Sequence, residues 1–91
     1  MKNSEIAQVF TEIADLLERQ KDNIFKIRAY RKAASSIQEL PLEVEQLARE
    51  GRLKEIPGVG EAITKKITEL VTSGRLEYYE KLKAEFTEVK K

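Results

Sequence analysis

The residues best placed to do chemistry lie in two short stretches. The first, Leu53-Lys54-Glu55-Ile56-Pro57-Gly58-Val59-Gly60-Glu61-Ala62-Ile63-Thr64-Lys65-Lys66-Ile67, reads as a helical turn, a tight turn and a helix. Pro57 ends the helical turn, Gly58 and Gly60 allow backbone angles and close approaches that a side chain would block, and Val59 anchors the turn inward. The N–H groups of Gly60, Glu61 and Ala62 then lie free at a helix N-terminus, the positive end of its dipole, where an anion is favoured. A phosphate of a nucleic-acid backbone fits such a site and would be held without any base being read. The bland alternative is that Pro-Gly-Val-Gly only connects two helices.

The second stretch is Lys26-Ile27-Arg28-Ala29-Tyr30-Arg31-Lys32-Ala33-Ala34-Ser35. Arg28, Arg31 and Lys32 share one helix face at i, i+3 and i+4 and could follow a phosphate backbone, although such a face is more often simply solvated. Lys26 and Tyr30 sit one turn apart on the stripe that continues through Ala33 and Ile37, at the edge of the buried face. Lys66 raises a separate possibility. It lies between Ala62 and Leu70 at the edge of an apolar face set by Ile63, Ile67 and Leu70, whereas Lys65 points further toward solvent. Desolvation and neighbouring cations favour the neutral amine of a lysine, and that form attacks aldehydes to give a Schiff base. The same position suits a lysine that lays its stem over the core and keeps its charge in water.

The elements that must position these residues are helices. Ile6, Phe10, Ile13, Ala14 and Leu17 recur at spacings of three and four and predict a helix over residues 4–20, with Ser4 or Asn3 as its N-cap. Asp22 or Asn23 caps a second helix over 24–38, and Pro41 at a first-turn position opens a short third that stops near Gly51. Leu53 and Ile56 form a further turn before Pro57. The next helix runs over about 60–72 with Gly74 as a left-handed C-cap, and the last starts near Leu76 and carries Tyr79, Leu82 and Phe86. No stretch alternates with period two, so the expected fold is all-α, a compact four-to-five-helix domain spanning residues 1–91. The polar tail over residues 88–91 is expected to fray.

Composition narrows the chemistry. The chain has 91 residues and no Cys, His or Trp, which excludes a large multi-step enzyme, a zinc site of the usual kind, a thiol nucleophile, a His-based triad and a disulfide framework. No apolar run approaches a membrane span and the start lacks the apolar core of a signal peptide, so a soluble intracellular protein with no membrane partner is expected. The net charge of +1 is unevenly spread. Residues 1–23 hold three basic and five acidic groups, 24–38 four basic and none acidic, 39–50 one basic and four acidic, 51–76 five basic and three acidic, and 77–91 four of each. The two positive segments are the two stretches described above, and a partner feels that local field more than the total.

Ile56 before the Pro-Gly-Val-Gly run, with Ile63 and Ile67 after it, gives the pattern of a helix-hairpin-helix DNA-binding element, here over residues 53–73. With Arg28-Ala29-Tyr30-Arg31-Lys32-Ala33-Ala34-Ser35, Lys66-Ile67 and Ser73-Gly74-Arg75-Leu76, it resembles the amino-terminal domain of family X DNA polymerases, the group of DNA polymerase beta, over about residues 4–86. The resemblance implies binding of gapped or nicked DNA at its 5′-phosphate side, independent of sequence, in base excision or gap-filling repair. It also implies a 5′-deoxyribose phosphate lyase whose Schiff-base lysine falls on Lys66. The family's phosphate-pocket lysine and tyrosine fall on Lys26 and Tyr30. Carbonyls of Lys54, Ile56 and Val59 would hold a monovalent cation, Na⁺ or K⁺, and Mg²⁺ belongs only to a full-length polymerase. Expected DNA contacts are Lys26, Tyr30, Arg31, Gly58, Val59, Gly60, Glu61, Ala62, Lys65 and Lys66.

Four positions depart from the best-known members. Phe25 stands for a histidine that stacks on DNA, Ala62 for a second pocket lysine, Lys65 for a glutamate and Tyr78 for a lysine of the last helix. These changes resemble bacterial and archaeal members, implying a cytoplasmic, nucleoid-associated monomer, either an excised domain or a product that keeps only the DNA-binding part. Polymerase chemistry needs carboxylates holding two metal ions on a palm domain and cannot reside here. Two alternatives stay open: a non-catalytic DNA-binding scaffold and a protein-interaction module.

Overall fold

A computed structural model describes residues 1–89, with side chains as far as Phe86. The frayed tail expected over residues 88–91 falls on residues 90 and 91, outside the described residues, and on two helical residues whose side chains are not described. Five α-helices follow one another among the described residues: α1 (Asn3–Arg19), α2 (Ile24–Glu39), α3 (Val44–Arg49), α4 (Glu61–Ser73) and α5 (Glu77–Val89), with a single 3-10 turn at Leu53–Glu55 between α3 and α4. The architecture is all-α, as the periodicity predicts. No described helix is long and apolar enough to cross a membrane.

Periodic apolar residues turn inward from every helix and form one core, in which no polar or charged residue is buried among the described residues. Helices α1 and α2 pack along each other, with Phe10, Ile13 and Ala14 of α1 and Ala33, Ala34 and Ile37 of α2 buried in the shared core. Ile56, Val59, Ile63 and Ile67 carry the hairpin into the same core. Helix α5 packs on α1, where the Tyr79 hydroxyl donates to Glu12 and Arg19 lies 5.1 Å from the Phe86 ring centroid, and its Leu82 is buried in the core. The site is thus built on elements that share one packed interior.

The helix ends match the expected signals with two exceptions. Asn23 caps α2, its Oδ1 accepting from the Phe25 N–H at 2.7 Å, and Gly74 closes α4 in the left-handed region at φ +77° with its N–H donating to Leu70 O at 2.8 Å. Neither Asn3 nor Ser4 caps α1. The helix begins at Asn3 itself, and the Lys2 N–H is satisfied by Glu5 Oε1 at 2.8 Å. Asn3 instead reaches across the fold, its Oδ1 accepting from the Val44 N–H at 2.9 Å and its Nδ2 donating to Leu42 O at 2.7 Å. That contact explains the second exception. Helix α3 starts at Val44 rather than at Pro41, because the proline keeps Leu40 extended and the first amide of α3 finds its acceptor in another helix.

Candidate nucleic-acid interface

The hairpin turn is made by Ile56, Pro57, Gly58 and Val59, closed by the Val59 N–H donating to Ile56 O at 3.0 Å. Proline at the second position and a glycine at φ +83° at the third are what a type II turn demands. Gly58 is also held by space: a β-carbon there would lie 2.4 Å from Cγ of Lys32, whose stem runs against the turn. Gly60 differs. Its φ of −96° suits any residue, and a β-carbon would meet nothing within 4 Å. The small residue at 60 therefore leaves open space in front of the next helix instead of relieving an internal clash.

That space faces unpaired amides. Thr64 N–H donates to Gly60 O at 2.9 Å as the first closing bond of α4. Among the described residues no protein acceptor meets the N–H groups of Gly60, Glu61, Ala62 or Ile63. The carbonyls of Lys54 and Val59 accept no hydrogen bond from described residues, and that of Ile56 accepts one and keeps a second lone pair. These three carbonyls are the oxygens of the hairpin that could serve a hard cation.

A pocket of about 460 Å³ opens at the same place. Lys26, Ala29 and Tyr30 of α2, Gly58 and Gly60 of the hairpin, Glu61, Ala62, Ile63 and Lys66 of α4, and Tyr78 of α5 line it. Lys26 is exposed and only loosely tied to Asp22, with Nζ to Oδ2 at 3.8 Å. Burial, and after it the neighbouring Tyr78 phenol, push the Tyr30 hydroxyl well above the usual phenol range, so it remains a neutral hydrogen-bond donor. Lys66 is half-buried and its Nζ lies 4.8 Å from the centroid of the Tyr78 ring. The Glu61 side chain is an opposing charge in the same wall. At the first turn of α4 it favours the helix dipole, and toward an anion it is unfavourable.

Six of the ten expected DNA contacts thus converge with the Lys66 amine: Lys26, Tyr30, Gly58, Gly60, Glu61 and Ala62. Val59 is buried and offers only its backbone, and exposed Lys65 does not line the pocket. Arg31 faces elsewhere, bound to Asp15 at 3.0 Å and to Glu18 at 2.5 Å on α1. The expected alignment of Arg31 with Lys32 therefore ends in two environments, one residue against α1 and the other against the hairpin. Two participants do not figure among the expected contacts: the Lys32 stem that holds Gly58, and Tyr78. The inward register of Leu82 four residues on is the one sequence signal that places Tyr78 toward the core.

These pieces can hold a phosphate: two ammonium groups, a phenolic donor and a row of free amides around an open, mostly apolar recess. The family profile described as a helix-hairpin-helix domain matches residues 1–76, and domains of this kind generally bind DNA without regard to sequence. The match covers the pocket's α2, hairpin and α4 walls and stops before α5.

Proposed function

Since the chain belongs to the family of helix-hairpin-helix domains, we propose that it is the DNA-binding domain of a family X repair polymerase and that its pocket takes the 5′-phosphate at a gap or nick. The observation that carries this reading is the convergence of Lys26, Tyr30, Lys66 and the unpaired amides of Gly60 to Ala62 on one pocket. Two charge-assisted bonds from the lysines, one from the phenol and two or more from amides would satisfy the oxygens of a terminal phosphate. A terminal phosphate suits a recess better than an internal one, because it projects beyond the chain and carries an extra charge.

The surroundings fit DNA with an interrupted strand. Phe25 precedes Lys26 and is 73% exposed, a ring on which a base unstacked at a gap could rest. Lys65 on the outer side of α4 offers a further contact to the duplex backbone. A Na⁺ or K⁺ ion on the carbonyls of Lys54, Ile56 and Val59 would bridge the hairpin to a neighbouring phosphate. Base excision or gap-filling repair by a polymerase in the cytoplasm, beside the nucleoid, is the setting of this reading, with Mg²⁺ required only by the polymerase domain.

Lys66 would be the amine through which a 5′-deoxyribose phosphate lyase reaction runs. A second reading, a non-catalytic DNA-binding scaffold, is favoured by one specific observation: the Lys66 amine rests on the Tyr78 ring. The test of the shared premise is direct titration of a gapped duplex by fluorescence anisotropy across a salt series. A logarithmic salt slope matching about two to four phosphates is expected from so small a set of contacts. No affinity for gapped DNA at low salt would contradict the proposal.

A further inference from the structure

Tyr78 stands two residues beyond the part of the chain that the family profile matches, yet its ring forms one wall of the pocket. It stacks on Tyr30 with centroids 6.1 Å apart and planes 19° from parallel, and Tyr30 stacks in turn on fully buried Phe10 at 5.9 Å. The ring over which the Lys66 amine lies is therefore anchored to the core through two others. Lys66 makes no ion pair with a described carboxylate, so this ring is the partner the fold supplies.

The chemistry of that partnership is one-sided. The negative face of a ring attracts an ammonium and offers nothing comparable to a neutral amine. Imine formation needs the neutral form. Its nitrogen lone pair attacks the aldehyde carbon, a C–N bond forms, and the aldehyde oxygen leaves as water with both amine protons. The other charged groups lining the pocket are of opposite sign, Lys26 of α2 and Glu61 of α4. The buried Tyr30 phenol stays neutral and contributes no charge.

From this geometry we infer that Tyr78 is a positioning residue that holds the Lys66 amine against its ring face, at the anion-binding wall of the pocket, and restrains it from Schiff-base chemistry. The inference rests on reading the pocket as a phosphate site. It accounts for a pocket that keeps a lyase-type lysine while directing it toward binding.

Pyridoxal 5′-phosphate, which carries a phosphate and an aldehyde in one small molecule, tests it without DNA. The full chain is incubated with this probe and the imine is fixed by borohydride, whose hydride, with a proton from water, converts it to a secondary amine. The labelled lysines are then mapped by mass spectrometry, with exposed Lys65 as internal reference. Lys66 in Tyr78→Leu should label about fivefold faster than in the parent chain, while Tyr78→Phe, which keeps the ring face, should label within twofold of it. Equal Lys66 labelling in Tyr78→Leu and the parent, or Tyr78→Phe labelling as fast as Tyr78→Leu, would overturn the inference. Should Tyr78→Leu fail to fold, proton NMR of the parent chain decides. Ring-current displacement of the Lys66 Cε protons relative to those of Lys65 is expected, and coincidence of the two would refute the contact. Faster labelling of Tyr78→Leu in a chain with no affinity for gapped DNA would remove the DNA reading and leave the role of Tyr78 standing.

Discussion

The two sides of α2 carry the same kinds of residue and have opposite roles. On the side toward α1, Arg31 is taken up by Asp15 and Glu18, and neighbouring Ala34 is buried. On the side toward the hairpin, Lys26 has one loose partner, Tyr30 presents a neutral phenol, and the Lys32 stem supports Gly58. The difference lies in the neighbours. Helix α1 offers carboxylates at the right turn, whereas the hairpin offers amides and glycines, which leave cations available to an outside anion. A basic residue is evidence of a binding face only after the acids that could quench it have been located. The +1 net charge of the chain hides this, because it averages a neutralised side with an available one.

Several substitutions would sharpen or break that contrast. Gly58→Val should have the largest effect, since it forces a β-branched residue to φ +83° and into the Lys32 stem at 2.4 Å. A loss of about 2–3 kcal/mol of stability in chemical denaturation, together with loss of DNA binding, is expected. Lys66→Ala removes one charge-assisted contact and should weaken binding of 5′-phosphorylated gapped DNA about tenfold with little change in melting temperature. Gly60→Val probes the open space. With nothing within 4 Å of its β-carbon, the fold should keep its stability to within about 0.5 kcal/mol, while anisotropy shows binding weakened about fivefold by the blocked approach to the α4 amides. Stability comparable to Gly58→Val would show that the two glycines serve the same purpose. Arg31→Ala should do least, changing affinity by less than about twofold and stability by under about 1 kcal/mol, because its ion pairs are largely exposed.

A pH titration bears on the same side of α2. The Tyr30 phenol has a raised value in the fold and its ordinary value of 10.0 in the unfolded chain, so the fold keeps a proton that the unfolded state releases. Stability from this group is fully present below pH 10.0 and is lost as pH rises through the window between the two values. Tyr30→Phe should therefore flatten the alkaline limb of a thermal-melt series above pH 10.0, and an unchanged limb would mean that the phenol is not desolvated.

Much of this arrangement is legible in the sequence, for identifiable reasons. The helices follow from apolar spacing, and their ends from local signals: Asn23 before α2 and Gly74 after α4 act within their own turns. The hairpin is readable because proline and glycine fix backbone geometry wherever they stand. The parts that are not readable depend on residues distant in the chain. Asn3 reads as a cap for the helix it begins, but its acceptor serves Val44, 41 residues away. Arg31 reads as a free cation because Asp15 and Glu18 belong to another helix whose rotation about its axis no local signal gives. Tyr78 reads as a lost lysine, and only the stack with Tyr30 and Lys66 shows what stands in its place.

The central claim is that the pocket between α2, the hairpin and α4 receives a terminal phosphate. It is tested most directly by measuring the affinity of one gapped duplex with and without its 5′-phosphate, for the parent chain and for the Lys26→Ala, Lys66→Ala double variant. The parent should prefer the phosphorylated duplex by about tenfold or more, and the double variant should bind both duplexes equally. A parent chain that does not distinguish the two duplexes, or a double variant that retains the full preference, would contradict the claim.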